Sequence, residues 1–361
     1  MSTAPQRGRA LTVAGLTVAL GATAVLILRG SPAEPGPVAE ARTPRPSMTT
    51  AWPDAEFTTL RDLPLRPLLF LDTTTAVGVS TSNDDKFLRL LLRTGDGMRE
   101  LRRLDTAANP RFENVTPAGD HVVWTEFTDS GPPQLWAANT TGAGPARRLT
   151  ADVGDVVFHG SQYDLVHHAG RVYWTAGSAD DAVTEVRSVA LTGGPVSITR
   201  QQGEWTMASW PWLDDGASGG AAATLMRNMS TGREITVPTA GGEFAACSPS
   251  WCRVMVVGGD DLVRIDLMRP DGSQRREMAA GTARTAIPDV AVLDRFEILA
   301  EPGQHSETTG TAGLLVYDID TGGTVELATA ANDTQSRNGL VWWYTSSGSA
   351  AEWHVLDLRT I

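Results

Sequence analysis

The chain has 361 residues, 41% of them hydrophobic, with a net charge of −12 and a pI near 5.0. That apolar fraction supports a sizeable core and excludes a globally disordered chain, and the acidic balance argues against nucleic acid as a partner. The length suits two domains or one all-β repeat domain.

Residues 1–9 are polar, and residues 10–28 then run without a charge, ALTVAGLTVALGATAVLIL. At 1.5 Å rise per residue this run nearly matches a hydrocarbon core of ~30 Å, so it reads as a transmembrane helix. It exceeds the apolar core of most cleaved signals, and no small-x-small site follows it directly. An uncleaved signal-anchor is expected, with a cleaved secretory signal as the alternative. Arg7 and Arg9 would keep residues 1–9 in the cytoplasm and place the rest outside the membrane. Residues 29–53 are rich in Pro, Ala, Glu and Thr and read as an extended linker.

From residue 54 onward a phrase returns six times: an apolar run, a turn with Thr-Gly or Asp-Gly, and a second run. The turn glycines are Gly95, Gly142, Gly193, Gly232, Gly272 and Gly322, spaced 39 to 51 residues apart. Such a turn between β-type runs signals a hairpin, and hairpins repeating every 40–50 or so residues signal propeller blades. A second element precedes most hairpins, as in GDHVVWTEF (119–127), GRVYWTAG (170–177) and GLVWWYTS (339–346), and reads as an inner strand. Trp124, Trp174, Trp251 and Trp342 recur there and are expected to pack between blades. Residues 339–346 and 353–358 begin a seventh unit that lacks its outermost strand, which residues 56–60 are placed to supply. The expected fold is therefore an all-β propeller over 54–361, seven four-stranded blades closed by an N-terminal strand. Six blades is the alternative.

An inner aromatic strand and an outer Thr-Gly hairpin behind a membrane anchor resemble the TolB-like β-propeller proteins of the bacterial envelope. The resemblance covers most of residues 54–361. Only Cys247-Ser-Pro-Ser-Trp251 approaches the family's Trp-Ser-Pro-Asp-Gly type signature, so no functional residue carries over. The resemblance implies a non-catalytic scaffold that binds other envelope proteins.

Candidate chemistry is sparse. Gly216-Ala-Ser-Gly-Gly220 matches G-x-S-x-G, with His305 and His354 downstream, but no hydrolase-sized region remains around Ser218, so a blade loop is expected. His159, His167 and His168 cluster, yet His167 and His168 face opposite sides of a strand, and no metal site is expected. Asp318-Ile-Asp320 lacks the rest of a calcium loop and reads as a hairpin turn. Cys247 and Cys252 suit a local disulfide outside the cytoplasm, with two buried thiols as the alternative. Trp205, Trp210 and Trp212 fit the repeat least well and are the candidate partner-binding aromatics. No paired carboxylates stand out at repeat-equivalent inner positions. The expectation is a membrane-anchored, extracytoplasmic, non-catalytic module without cofactor or metal, binding an envelope protein or glycan. A propeller enzyme (hydrolase, glycosidase or lyase) is the alternative.

Overall fold

The computed structural model describes residues 45–142, 144–179, 182–216, 223–259, 261–347 and 350–361. The apolar run 10–28 and most of the expected linker lie outside them. Among the described residues no helix is long and apolar enough to cross a membrane.

The fold is an all-β propeller of antiparallel strands. Strand β1 (Phe57–Arg61) comes first and is discussed below. β2 (Arg66–Phe70), β3 (Ala76–Thr81), β4 (Phe87–Thr94) and β5 (Gly97–Asp105) form one four-stranded sheet. β6 (Arg111–Ala118), β7 (His121–Thr128), β8 (Gly131–Asn139) and β9 (Arg147–Thr150) form the next. In the third, the short strands β10 (Asp155–Val156) and β11 (Val166–His168) both pair with β12 (Arg171–Gly177), followed by β13 (Val183–Ala190) and β14 (Ser197–Gln202). β15 (Thr206–Ser209), β16 (Trp212–Asp214), β17 (Ala223–Asn228) and β18 (Glu234–Pro238) make a fourth. β19 (Glu243–Cys247), β20 (Cys252–Gly258), β21 (Asp261–Met268) and β22 (Arg276–Ala280) make a fifth. The remaining strands are β23 (Arg284–Thr285), β24 (Phe296–Glu301), β25 (Ala312–Asp318), β26 (Gly323–Arg337), β27 (Leu340–Ser347) and β28 (Ala350–Asp357). β26 is 15 residues long and serves twice. Its first part pairs with β25, and Asn332 to Arg337 pair with β27. β1 pairs antiparallel with β28, from Phe57 opposite Leu356 to Arg61 opposite Glu352.

The hairpins follow from their residues. Gly232 and Gly322 sit at φ +71° and +68°, and each donates its N–H to the carbonyl of the strand-end residue, Asn228 or Asp318. Only glycine takes this left-handed backbone without strain. The Asn228 and Asp318 side chains also accept turn N–H groups, so the turns are capped from the residues that start them. Asp318 additionally pairs with Arg295 at 2.8 Å, which makes the Asp318-Ile-Asp320 stretch a braced turn.

The core lies between neighbouring sheets. Trp124, Trp174 and Trp342 are fully buried, each in a cluster that draws on two adjacent sheets. The last residues of the expected linker belong to this domain. Arg45 pairs with Glu301 at 2.7 Å, Pro46 accepts the N–H of Glu326, and Met48 in helix α1 (Met48–Ala51) is buried against Ile287, Val292 and Phe296.

Candidate active site

A cavity of about 280 Å³ opens where inner strands and their loops meet. Its walls come from the β10–β11 connection (His159, Ser161, Tyr163, Asp164), from β15 and β16, from β19, and from Pro288 to Val290. Met207, Ala208, Phe244, Met255 and Val290 make much of the surface apolar, and three aspartates face it.

Asp214 ends β16. Its two carboxylate oxygens accept the N–H groups of Gly216 and, at 2.7 Å, Cys247 on the neighbouring sheet. Gly216 is required there, since a Cβ would lie 2.3 Å from the Ala245 carbonyl oxygen. Burial pushes the Asp214 carboxyl up to about 7, opposed by the two N–H donors and aided by the charge of Asp215.

Asp289 lies between β23 and β24. It accepts Ser161 Oγ at 2.5 Å and the Gln162 N–H at 3.2 Å. Burial raises its carboxyl to about 6, held back by Ser161, Arg337, Gln162 and Arg253. Behind it, Arg253 and Glu297 form an ion pair at 2.7 Å with side chains 3% and 0% exposed. Arg253 Nη2 donates to the Asp289 carbonyl at 2.5 Å and Glu297 accepts the Ala291 N–H at 2.7 Å, so the pair fixes the segment that carries Asp289.

Asp164 accepts the N–H groups of His159 (3.0 Å) and Gly160 (2.8 Å), and burial raises its carboxyl too. Arg337, at the end of β26, is the cation these acids share. Burial lowers its pKa while Asp289 and Asp164 hold it up, and its Nη1 donates to the Ser161 carbonyl at 3.2 Å. Burial, then the charges of Asp289 and Asp294, push the Tyr163 phenol upward, so it enters the site as a neutral hydroxyl.

Asp214 and Asp289 thus stand on one cavity, poised to exchange protons near neutral pH, one without a cation and one near Arg337. Burial raises both carboxyls, so each can hold or release a proton near neutral pH, as general acid–base chemistry requires. Ser161 gives its hydroxyl proton to Asp289 rather than to a histidine, so it is not arranged as a nucleophile.

The residues singled out from the sequence fall elsewhere or in supporting places. Trp205 is 4% exposed, donates Nε1 to the Gln202 carbonyl at 2.7 Å and carries Arg227 over its ring at 4.5 Å. Trp210 is half-buried and stacks on Tyr173 at 3.8 Å, and half-buried Trp212 packs against the cluster of Met226 and Val254. Trp205 is buried in the cluster with Met207 and Leu213, while Trp210 and Trp212 keep part of their surface exposed. Cys247 and Cys252 face each other across β19 and β20 and are joined in a disulfide, with Cys247 on the cavity wall. Ser218 lies outside the described residues. His159 lines the cavity, His167 and His168 pair along β11 with Val172 and Arg171, and His354 sits between Thr59 and Thr345.

The acids that matter were missed from the sequence. Asp164 and Asp289 sit between largely apolar neighbours, as in Tyr163-Asp164-Leu165 and Pro288-Asp289-Val290, and that setting is a sign of burial, whereas Asp214 is followed by Asp215 and carries no such sign.

No protein-family model matches the chain, and no curated protein sequence matches it. Solved structures do. An uncharacterised protein of Listeria monocytogenes matches with a TM-score of 0.51 at 8% identity over 83% of this chain and 94% of that one. An acylaminoacyl peptidase matches with a TM-score of 0.50 at 8% identity, covering 78% of this chain but 49% of the peptidase. TolB of Acinetobacter baumannii matches with a TM-score of 0.40 at 10% identity over 71% of this chain and 64% of TolB. The likeness is one of fold.

The resemblance to TolB-like propellers holds at that level. The inference drawn from it, a non-catalytic module, does not stand. A chain of this fold occurs within an acylaminoacyl peptidase, so hairpin repeats give no ground for excluding an enzyme. Asp164 and Asp289 each stand seven residues before the start of an inner strand, β12 or β24, and so occupy equivalent places in the repeat, whereas Asp214 ends β16.

Proposed function

We infer that this chain is a propeller enzyme of the cell envelope that cleaves an acid-labile linkage, with Asp214 and Asp289 as the proton-transferring pair. The observation that carries this reading is the pair of buried carboxyls, at about 7 and about 6, on one cavity of about 280 Å³. Glycosidic bonds are the chemistry that such a pair serves best, one carboxyl protonating the leaving oxygen and the other activating water or bonding the sugar carbon. An envelope glycan is the substrate class. Arg253 holds the Asp289 carbonyl, Arg337 lends its charge to the Asp289 carboxyl, and the apolar wall keeps the acids out of bulk water.

The same reading includes an architecture of seven blades over 54–361, closed by the N-terminal strand. It is supported by the pairing of β1 with β28 and by the double use of β26. Residues 10–28 would anchor the domain outside the cytoplasm, and the disulfide suits that compartment.

The test is turnover of a panel of aryl glycosides and polysaccharides by the full chain. Activity is expected to peak between about pH 6 and pH 7 and to fall at least a hundredfold in Asp214→Asn and in Asp289→Asn. A folded wild type that turns over nothing in the panel, or variants that keep wild-type rates, would sink the proposal.

A further inference from the structure

We propose that residues 160–162 form a latch over the cavity, hooked to Asp289, Arg337 and Asn338, and that substrate enters by releasing it. This rests on the reading of the cavity as the catalytic site and concerns its regulation.

The latch leaves the sheet of β10–β14, yet its partners belong to the segments that carry β23 to β28. Ser161 Oγ donates to Asp289, 128 residues away, and the Gln162 N–H does the same. Arg337 donates to the Ser161 carbonyl and the Asn338 N–H to Gln162 Oε1, each 176 residues away. These four donor groups are the latch's polar ties to the far side.

Its root is held separately. The Asp164 carboxylate accepts the N–H groups of His159 and Gly160, Leu165 is buried, and Tyr163 packs against the cluster of Trp205 and Leu213. Gly160, at φ +76°, has no heavy atom within 4 Å of the place a Cβ would take, so the joint between root and tip is open on that side. The root adds two bonds to the tip, from the Asp164 N–H to the Ser161 carbonyl at 3.2 Å and from the Tyr163 N–H to Ser161 Oγ at 3.0 Å, and none of these ties belongs to a strand ladder, so the tip can release without unravelling the sheet. Ser161 also lines the cavity, so its movement changes access to Asp214 and Asp289.

Methionine oxidation by hydrogen peroxide reads this access without a substrate. Met207 lines the cavity, Met226 is fully buried outside it, and Met98 is exposed at 53%. In the full chain, Ser161→Ala combined with Gln162→Ala removes two of these ties and should oxidise Met207 on the order of tenfold faster than wild type, about the net effect of losing two hydrogen bonds. Gln162→Ala alone should give a smaller rise, with Met226 unchanged and Met98 at its exposed rate throughout. An unchanged Met207 rate in both variants, or a Met207 rate that rises only together with Met226, overturns the latch. Turnover does not enter this readout. A cavity that opens as expected while Asp214→Asn leaves catalysis intact would reject the catalytic reading and leave the latch standing.

Discussion

At the scale of single residues, the buried acids set a pH dependence whose sign is fixed. Asp214 and Asp289 keep their protons to about pH 7 and pH 6 in the folded chain against an ordinary value of 3.8. Between about pH 4 and pH 7 the unfolded chain has already released protons that the folded chain still holds, so stability falls as pH rises through this window. Carboxylates shifted the other way, such as Glu243 bonded to Arg275 and Asp357 bonded to Arg359, weaken the fold only below about pH 4. Thermal melts are therefore expected to show wild type losing stability from pH 4 to pH 7, with Asp214→Asn flattening that slope. A wild-type melting temperature that climbs across the window would contradict the burial of both acids. The Arg253–Glu297 pair belongs to the same scale. Removing one partner, as in Arg253→Met, strands a charge at a site 0% exposed and should cost about 3–5 kcal/mol in urea unfolding. Adding Glu297→Leu should recover much of that loss, and a double variant no better than the single one would show that the pair acts by something other than charge.

At the scale of elements, the hairpins were legible because their rule is local. A glycine at positive φ after a polar turn residue states its own geometry, as at Gly232 and Gly322. The inner tryptophans were legible for a similar reason, since a large ring on a β-branched run has few places to go but a sheet junction. The burial of Trp205 was not, because it stands just before β15, and β15 and β16, four and three residues long, leave too little alternation to show which face is buried. The cavity was not legible either, because it joins groups from the third, fourth and fifth sheets and from the segment before β24, and no local pattern encodes such a meeting. The disulfide sits on one hairpin and yet touches the site, since the Cys247 N–H is held by Asp214. Replacing both cysteines by alanine should cost about 2 kcal/mol by the loop-entropy account for so short a closure. Because that N–H stays with the backbone, the Asp214 limb of the pH–rate profile should move little. A large shift of that limb on reduction would mean that the disulfide tunes the acid as well as bracing the strand end.

At the scale of the whole molecule, the periodic spacing pointed to a propeller, whereas the boundary of the domain had to be seen in three dimensions. Proline content placed residues 29–53 in one linker, but Arg45, Pro46 and Met48 are tied to the sheets by an ion pair, a backbone hydrogen bond and a buried side chain. Composition reports what a segment cannot form, not where it docks. The decisive segment for integrity is then β1. It covers the edge of β28 along five residue pairs, stacks Phe57 near Trp343 and His354, and packs Leu60 against the cluster of Trp342 and Val355. An uncovered β28 would expose a row of backbone donors and acceptors beside apolar side chains. Two truncations separate the roles. Starting the chain at residue 45 keeps every tie described and should leave the melting temperature within a few degrees. Starting it at residue 62 removes β1 along with α1 and should lower it on the order of 10 °C, with a tendency to associate through the freed edge. Deleting only residues 45–53 within the full chain isolates the share of α1, which should be the smaller part. Equal melting of the chains begun at residues 45 and 62 would show that β28 needs no partner and that the proposed closure of the ring by the N-terminal strand is wrong.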